Sequence, residues 1–140
     1  MKFELEEQLA SEFLFMKRDR EAIAKKPIDD LFGAFGCCCD DGWYELLREL
    51  CAEIVKEFEK EGVPLQITPV QIKEKFGALR FYFETVPEMY SKIHALARQY
   101  ESKSETVCEM CGRPGTLKKK HGWYKTMCED CQENRNSDSE

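Results

Sequence analysis

Apolar residues recur at helical spacing in three stretches of this 140-residue chain and alternate with polar residues between the last two. Phe3, Leu9, Phe13, Met16 and Ile23, with no Gly or Pro among them, predict a first helix from about Phe3 to Lys26, stopped by Pro27. Residues 28–42 then read as a Gly- and Cys-containing connection. Trp43, Leu46, Leu47, Leu50, Ile54 and Phe58 form one apolar stripe, so a second helix is expected from about Trp43 to Glu61. Asp41 is its candidate N-cap, and Gly62 followed by Pro64 marks its end.

The period then changes. Leu65–Thr68 reads as a short strand. Val70, Ile72, Leu79, Phe81 and Phe83 alternate with polar neighbours, which predicts two strands joined by a turn at Lys75–Ala78. Pro87 opens a third helix with Tyr90, Ile93, Leu96, Ala97 and Tyr100 on one side. Ser102–Glu105 reads as a polar hinge. Three apolar stripes need a surface to cover, so the expected fold is α+β, with helices packed on a small antiparallel sheet. The expected divisions are a helical α+β domain over 1–104, a metal module over 105–133 and a disordered tail over 134–140.

The metal module rests on four cysteines. Cys108 and Cys111 form one C-x-x-C pair, and Cys128 and Cys131 form another sixteen residues further on. This spacing suits a structural site in which four thiolates hold one Zn²⁺ tetrahedrally. Cys108–Gly112 has the form of a knuckle. Thr116–Lys120 and Trp123–Met127 are candidate strands around a His121–Gly122 turn, and Cys128 and Cys131 fit the first turn of a short helix. That order resembles a treble clef; a zinc ribbon, with two knuckles and no helix, is the alternative. His121 is read as a turn residue, because four cysteines already complete the coordination.

Composition adds constraints. There are eight cysteines, but the N-terminus shows no secretory signal and no apolar run could span a bilayer, so a reducing cytoplasm and metal ligation are expected over disulfides. The net charge of −6 disfavours nonspecific attraction to nucleic acid. The balance is local, however: Arg113, Lys118, Lys119, Lys120 and Lys125 lie between Met110 and Met127 with no acid among them. With Lys73, Lys75, Arg80, Tyr82 and Trp123 they make a candidate binding surface that combines cations with rings suited to stacking. Glu45, Glu49, Glu53, Glu57 and Glu61 recur every four residues on the second helix, the pattern of a solvated face, with basic partners three residues after several of them. The Cys37–Cys39 triplet lacks metal-ligand spacing and reads as a partly buried loop. His94, Asp40 and Asp41 are the only titratable residues that invite a catalytic reading, and no motif joins them.

Asp41–Leu47 (DGWYELL), Val70–Tyr82 (VQIKEKFGALRFY) and the paired C-x-x-C motifs with Gly122–Trp123 between them resemble small uncharacterised proteins encoded by phages and prophages, over roughly residues 32–131. The resemblance implies a protein made inside bacteria. The expected function is therefore a zinc-stabilised, non-enzymatic binding protein that engages a bacterial protein, with inhibition of a host defence as one form of it. The alternative is nucleic-acid binding through the basic hairpin.

Overall fold

The apolar stripe of the second helix forms the centre of the structure. The computed structural model describes residues 1–18 and 30–138, with side chains as far as Asn134. Helix α1 spans Phe3–Glu12 and a 3-10 turn follows at Leu14–Met16. A short helix α2 (Leu31–Phe35) leads into strand β1 (Cys37–Cys38) and a second 3-10 turn at Asp41–Trp43. Helix α3 (Tyr44–Glu61) buries Leu46, Leu47, Leu50, Cys51, Ile54 and Phe58. Strands β2 (Ile67–Lys75) and β3 (Ala78–Thr85) pair antiparallel, and helix α4 (Pro87–Ser104) begins on its proline. Strands β4 (Thr116–Lys120) and β5 (Trp123–Met127) form a separate hairpin, and helix α5 (Glu129–Asp138) closes the described chain.

The α+β class, the α3 stripe and both hairpins follow the sequence pattern. Gly62 ends α3 at φ +67°, its N–H bonded to the carbonyls of Phe58 and Glu59. That left-handed cap is why a glycine stands there. The β2–β3 connection narrows to Phe76–Gly77, both at positive φ, as a two-residue hairpin turn requires. A register shift between Pro69 and Gln71 absorbs the proline, so β2 is one bulged strand from Ile67 and not a short strand followed by another.

Other elements depart from the local pattern. The first helix ends at Glu12, well short of Lys26; Pro27 and Ile23 fall outside the described residues. Phe13 turns extended, and the reversal drops Phe13 and Met16 into the core beside Leu9. Arg18 then reaches back, pairing with Glu6 at 3.1 Å and donating to the carbonyls of Gly33 and Ala34 at 3.1 and 2.8 Å. Asp41 does not cap α3: its carboxylate accepts the Lys2 backbone N–H at 2.7 Å. The cysteine triplet is not a loop. Cys37 and Cys38 pair in parallel with Ile72 and Lys73, so β1 adds a parallel edge to the expected antiparallel sheet. Alternate side chains of the triplet diverge: Cys37 and Cys39 are buried and Cys38 is exposed.

Ser102–Glu105 is not a hinge either. Helix α4 continues to Ser104, whose buried hydroxyl accepts the Leu79 N–H at 2.8 Å and donates to the Glu101 carbonyl at 2.5 Å. The chain from 134 to 138 is helical, where disorder was expected. Hydrogen bonds cross the expected boundary at 104/105. Trp43 Nε1 donates to the Val107 carbonyl at 2.9 Å, and Gly42 N donates to the Glu109 carbonyl at 2.7 Å. Thr126 Oγ1 donates to the Gly77 carbonyl at 2.7 Å.

Gly42 makes the closest approach in this joint. A methyl group on its Cα would overlap the backbone oxygens of Cys108 and Glu109, which cannot yield as a side chain would. Gly42→Ala is expected to lower stability by about 1–3 kcal/mol, the usual cost of overpacking a fixed contact. Urea unfolding followed by tryptophan fluorescence measures it; an unchanged midpoint would mean that the knuckle does not rest on this turn.

Candidate metal centre

The knuckle is built by backbone hydrogen bonds. Cys108 N donates to the Arg113 carbonyl at 2.7 Å and Gly112 N to the Cys108 carbonyl at 2.9 Å. Gly112 takes φ +83°, the left-handed conformation that its place in the motif demands. Across the hairpin, β5 delivers Cys128 to the start of α5, and Cys131 lies in the first turn of that helix. The helix N-terminus favours negative charge on both sulfurs. A helix at this place gives the treble-clef order and not a ribbon.

The four Sγ atoms lie within 4.8 Å of one another, and this is the only such ligand group of three or more among the described residues. Cys111 Sγ and Cys128 Sγ are 3.6 Å apart. No cysteine is in a disulfide. The group could hold one metal ion with every coordination position supplied by the chain. His121 is exposed at the turn, at φ +51°, and is no member of it.

The electrostatics prepare these sulfurs for a cation. The backbone N–H and guanidinium of Arg113 draw the Cys111 thiol down to about 6, and Arg113 Nε stands 3.4 Å from Cys111 Sγ. Hydrogen bonding within the cluster, chiefly from Cys128, pushes Cys131 up to about 12. Four thiols that share protons behave in this way, and a divalent ion would take the place of those protons. The remaining cysteines have the opposite character. Burial pushes the thiols of Cys37 and Cys39 well up and that of Cys51 to about 12, so they pack as small apolar groups.

The candidate binding surface does not form one patch. Arg80 is paired with Glu101 at 2.8 Å, and Lys73 lies opposite it in the sheet register. Lys125 lies between Glu74 and Glu109, and Arg113 between Cys111 and Asp130. Cross-strand register sets Lys118 beside Lys125 and Lys120 beside Trp123 on one face of the β4–β5 hairpin, and Lys119 beside Tyr124 on the other. Tyr82 stands half-exposed on β3.

On the Lys119 face the β2–β3 turn packs against strand β5. Phe76 packs edge-on against Tyr124 at 5.8 Å between centroids, Lys75 lies over the Phe76 ring at 5.6 Å, and Lys119 over Tyr124 at 5.4 Å. Phe76 is nonetheless 60% exposed and Trp123, on the opposite face, 72%. Phe76 and Tyr124 were missed as surface residues. The available signal was a large ring immediately before the turn glycine, where a short polar residue is usual. Glu109 was missed too. It is 3% exposed and accepts the Asp40 N–H at 3.0 Å; burial raises its carboxyl above the ordinary value, against the pull of that N–H and of Lys125.

The acidic row on α3 is largely matched by cations. Glu49 pairs with Lys103, Glu61 with Lys92, Glu53 with Lys56 and Glu45 with Arg48. His94 stacks on Tyr90 and borders a cleft between β3 and α4, whereas Asp40 borders a different cavity beside Glu109. Asp41 is engaged by Lys2. The three residues do not converge. No described helix is long and apolar enough to cross a membrane.

The thiol environments predict a stepwise alkylation. With metal bound, iodoacetamide should modify Cys38 alone under native conditions, since the other thiols are buried or ligated. Adding a chelator should expose the Cys108, Cys111, Cys128 and Cys131 thiols to a second wave. Intact-protein mass spectrometry reads both steps, and labelling of the four before chelation would contradict metal ligation.

No protein-family model, curated protein or solved structure matches the chain.

Proposed function

We propose that this chain is a zinc-stabilised binding protein without catalytic activity, which engages a bacterial protein in the cytoplasm through exposed aromatic residues of its two hairpins. Zinc is the metal that best suits the donor set. Four thiolates around Zn²⁺ at about 2.3 Å leave neighbouring sulfurs about 3.8 Å apart, close to the 3.6 Å between Cys111 and Cys128. With four protein ligands no position is open for water or substrate, so the ion serves the fold. Its binding supplies folding free energy on the order of 10 kcal/mol in comparable modules.

The observation that carries the binding reading is the exposure of Phe76 in the β2–β3 turn and of Trp123 at the start of β5, on opposite faces of the β4–β5 hairpin. Large rings dominate many protein interfaces. The separation of His94 from Asp40 supports the absence of catalysis. The resemblance of Asp41–Leu47 and Val70–Tyr82 to phage and prophage proteins favours a host protein as the partner, and a defence component is the form of that reading with a clear biological use. A second reading, single-stranded nucleic acid, is favoured by the exposed run Lys118–Lys120 beside Trp123.

One set of measurements separates these. Protein purified without an affinity tag that chelates metal should contain about one zinc per chain by elemental analysis, as a single Cys₄ site requires; metal-free or iron-loaded folded protein would contradict the assignment. Zinc-loaded protein should retain one stoichiometric host protein from nuclease-treated bacterial lysate, and Phe76→Ala with Trp123→Ala should lose it. Capture that survives both substitutions would reject these rings as the contact. Binding to single strands that falls steeply with salt and is abolished by charge reversal at Lys118–Lys120 would favour the second reading.

A further inference from the structure

We infer that the cavity between the metal module and the Asp40–Trp43 turn is a binding site for a guanidinium group carried on a short alkyl stem. The inference is independent of the partner proposed for the hairpins. The cavity has a volume of about 390 Å³, and its walls include Asp40, Glu109, Met110, Lys125, Met127 and Cys131. That size falls within the range of small-ligand sites.

The observation that points to a ligand is Glu109. The residue is 3% exposed, and its Oε1 is buried with no hydrogen-bond partner. Its Oε2 accepts the Asp40 N–H at 3.0 Å, which holds the carboxylate in place. Lys125 Nζ stands 3.6 Å from Glu109 Oε1 and 3.8 Å from Glu74 Oε1. Both separations are within reach of an ion pair and too long for a hydrogen bond. One ammonium group is thus divided between two carboxylates and satisfies neither. A buried acceptor in this condition has already lost its water and has not gained a donor.

The charge of the walls selects the sign of the ligand. Asp40 and Glu109 are acidic, and four thiolates around one divalent ion would leave a net negative cluster behind Cys131. Among the described residues that line the cavity, Lys125 is the only cation. A guanidinium has several donors in a planar fork. It could give one N–H to Glu109 Oε1 and keep others for Asp40, while Lys125 moves fully onto Glu74. Met110 and Met127 supply flexible apolar walls for the stem. The same chemistry is offered by a free alkylguanidine and by an arginine side chain of another protein.

The test uses zinc-loaded full-length protein with ¹³C-labelled methionine methyl groups, titrated with agmatine, with acetyl-Gly-Arg-Gly-amide and with the uncharged norleucine tripeptide. Saturable shifts are expected at Met110 and Met127, not at Met16 or Met89, for a guanidinium ligand alone. Response to the peptide assigns the site to a protein side chain, and response to agmatine alone assigns it to a small molecule. Glu109→Gln should weaken binding about tenfold, the loss of a charge-assisted hydrogen bond. If that variant does not fold, as Met16 and Met89 would report, Lys125→Met carries the test: removal of the competing ammonium should tighten binding several-fold. No saturable shift with either guanidinium ligand, equal shifts with the norleucine peptide, or no effect of Lys125→Met would overturn the inference.

Discussion

Four sulfur atoms within 4.8 Å of one another are the constraint on which the last quarter of the described chain depends. As thiolates they repel; as thiols they offer only weak hydrogen bonds. The elements around them cannot compensate. In the segment from Cys108 to Cys131 the buried side chains are Cys108, Glu109, Thr126 and Met127, too few to form a core. A cation that converts mutual repulsion into shared attraction is the term large enough to hold a knuckle, a hairpin and a helix start in one arrangement.

The consequence travels past the module. The Glu109 peptide and carboxylate bind Gly42 and Asp40, and the Trp43 indole binds the Val107 carbonyl. Trp43 is fully buried at the head of α3, so the Cys108–Gly112 knuckle and the central helix share one joint. On the other side Thr126 holds the Gly77 carbonyl and Leu117 fills the space that a side chain at Gly77 would need. The β4–β5 hairpin therefore also holds the β2–β3 turn that presents Phe76. Fold and candidate contact surface depend on the same centre.

What the sequence made legible was local. The period of α3, the proline at the head of α4, the His121–Gly122 turn and the two C-x-x-C pairs each have their cause within a few residues, and each appears where expected. What it hid was set by distant partners. Helix α1 stops at Glu12, where Phe13 turns extended and Arg18 comes back to Glu6 and α2, and no Gly or Pro marks the place. Ser102–Ser104 looked like a polar hinge because nothing nearby shows that Ser104 will take the Leu79 N–H. The ten basic and aromatic residues of the candidate surface come from two stretches, 73–82 and 113–125, whose relative placement no local pattern shows. Strand register and the carboxylates of Glu74, Glu101 and Glu109 divide them in space.

Amide hydrogen exchange before and after metal removal tests the coupling most directly. Chelation should strip protection from Cys108, Gly112 and the β4–β5 pairs, and should loosen the Gly42 N–H and the Trp43 indole, while Leu50 and Ile54 in α3 remain protected. Protection that persists from Cys108 to Cys131 after the metal is shown to be gone, or a loss confined to those residues with Gly42 and Trp43 unaffected, would contradict the account.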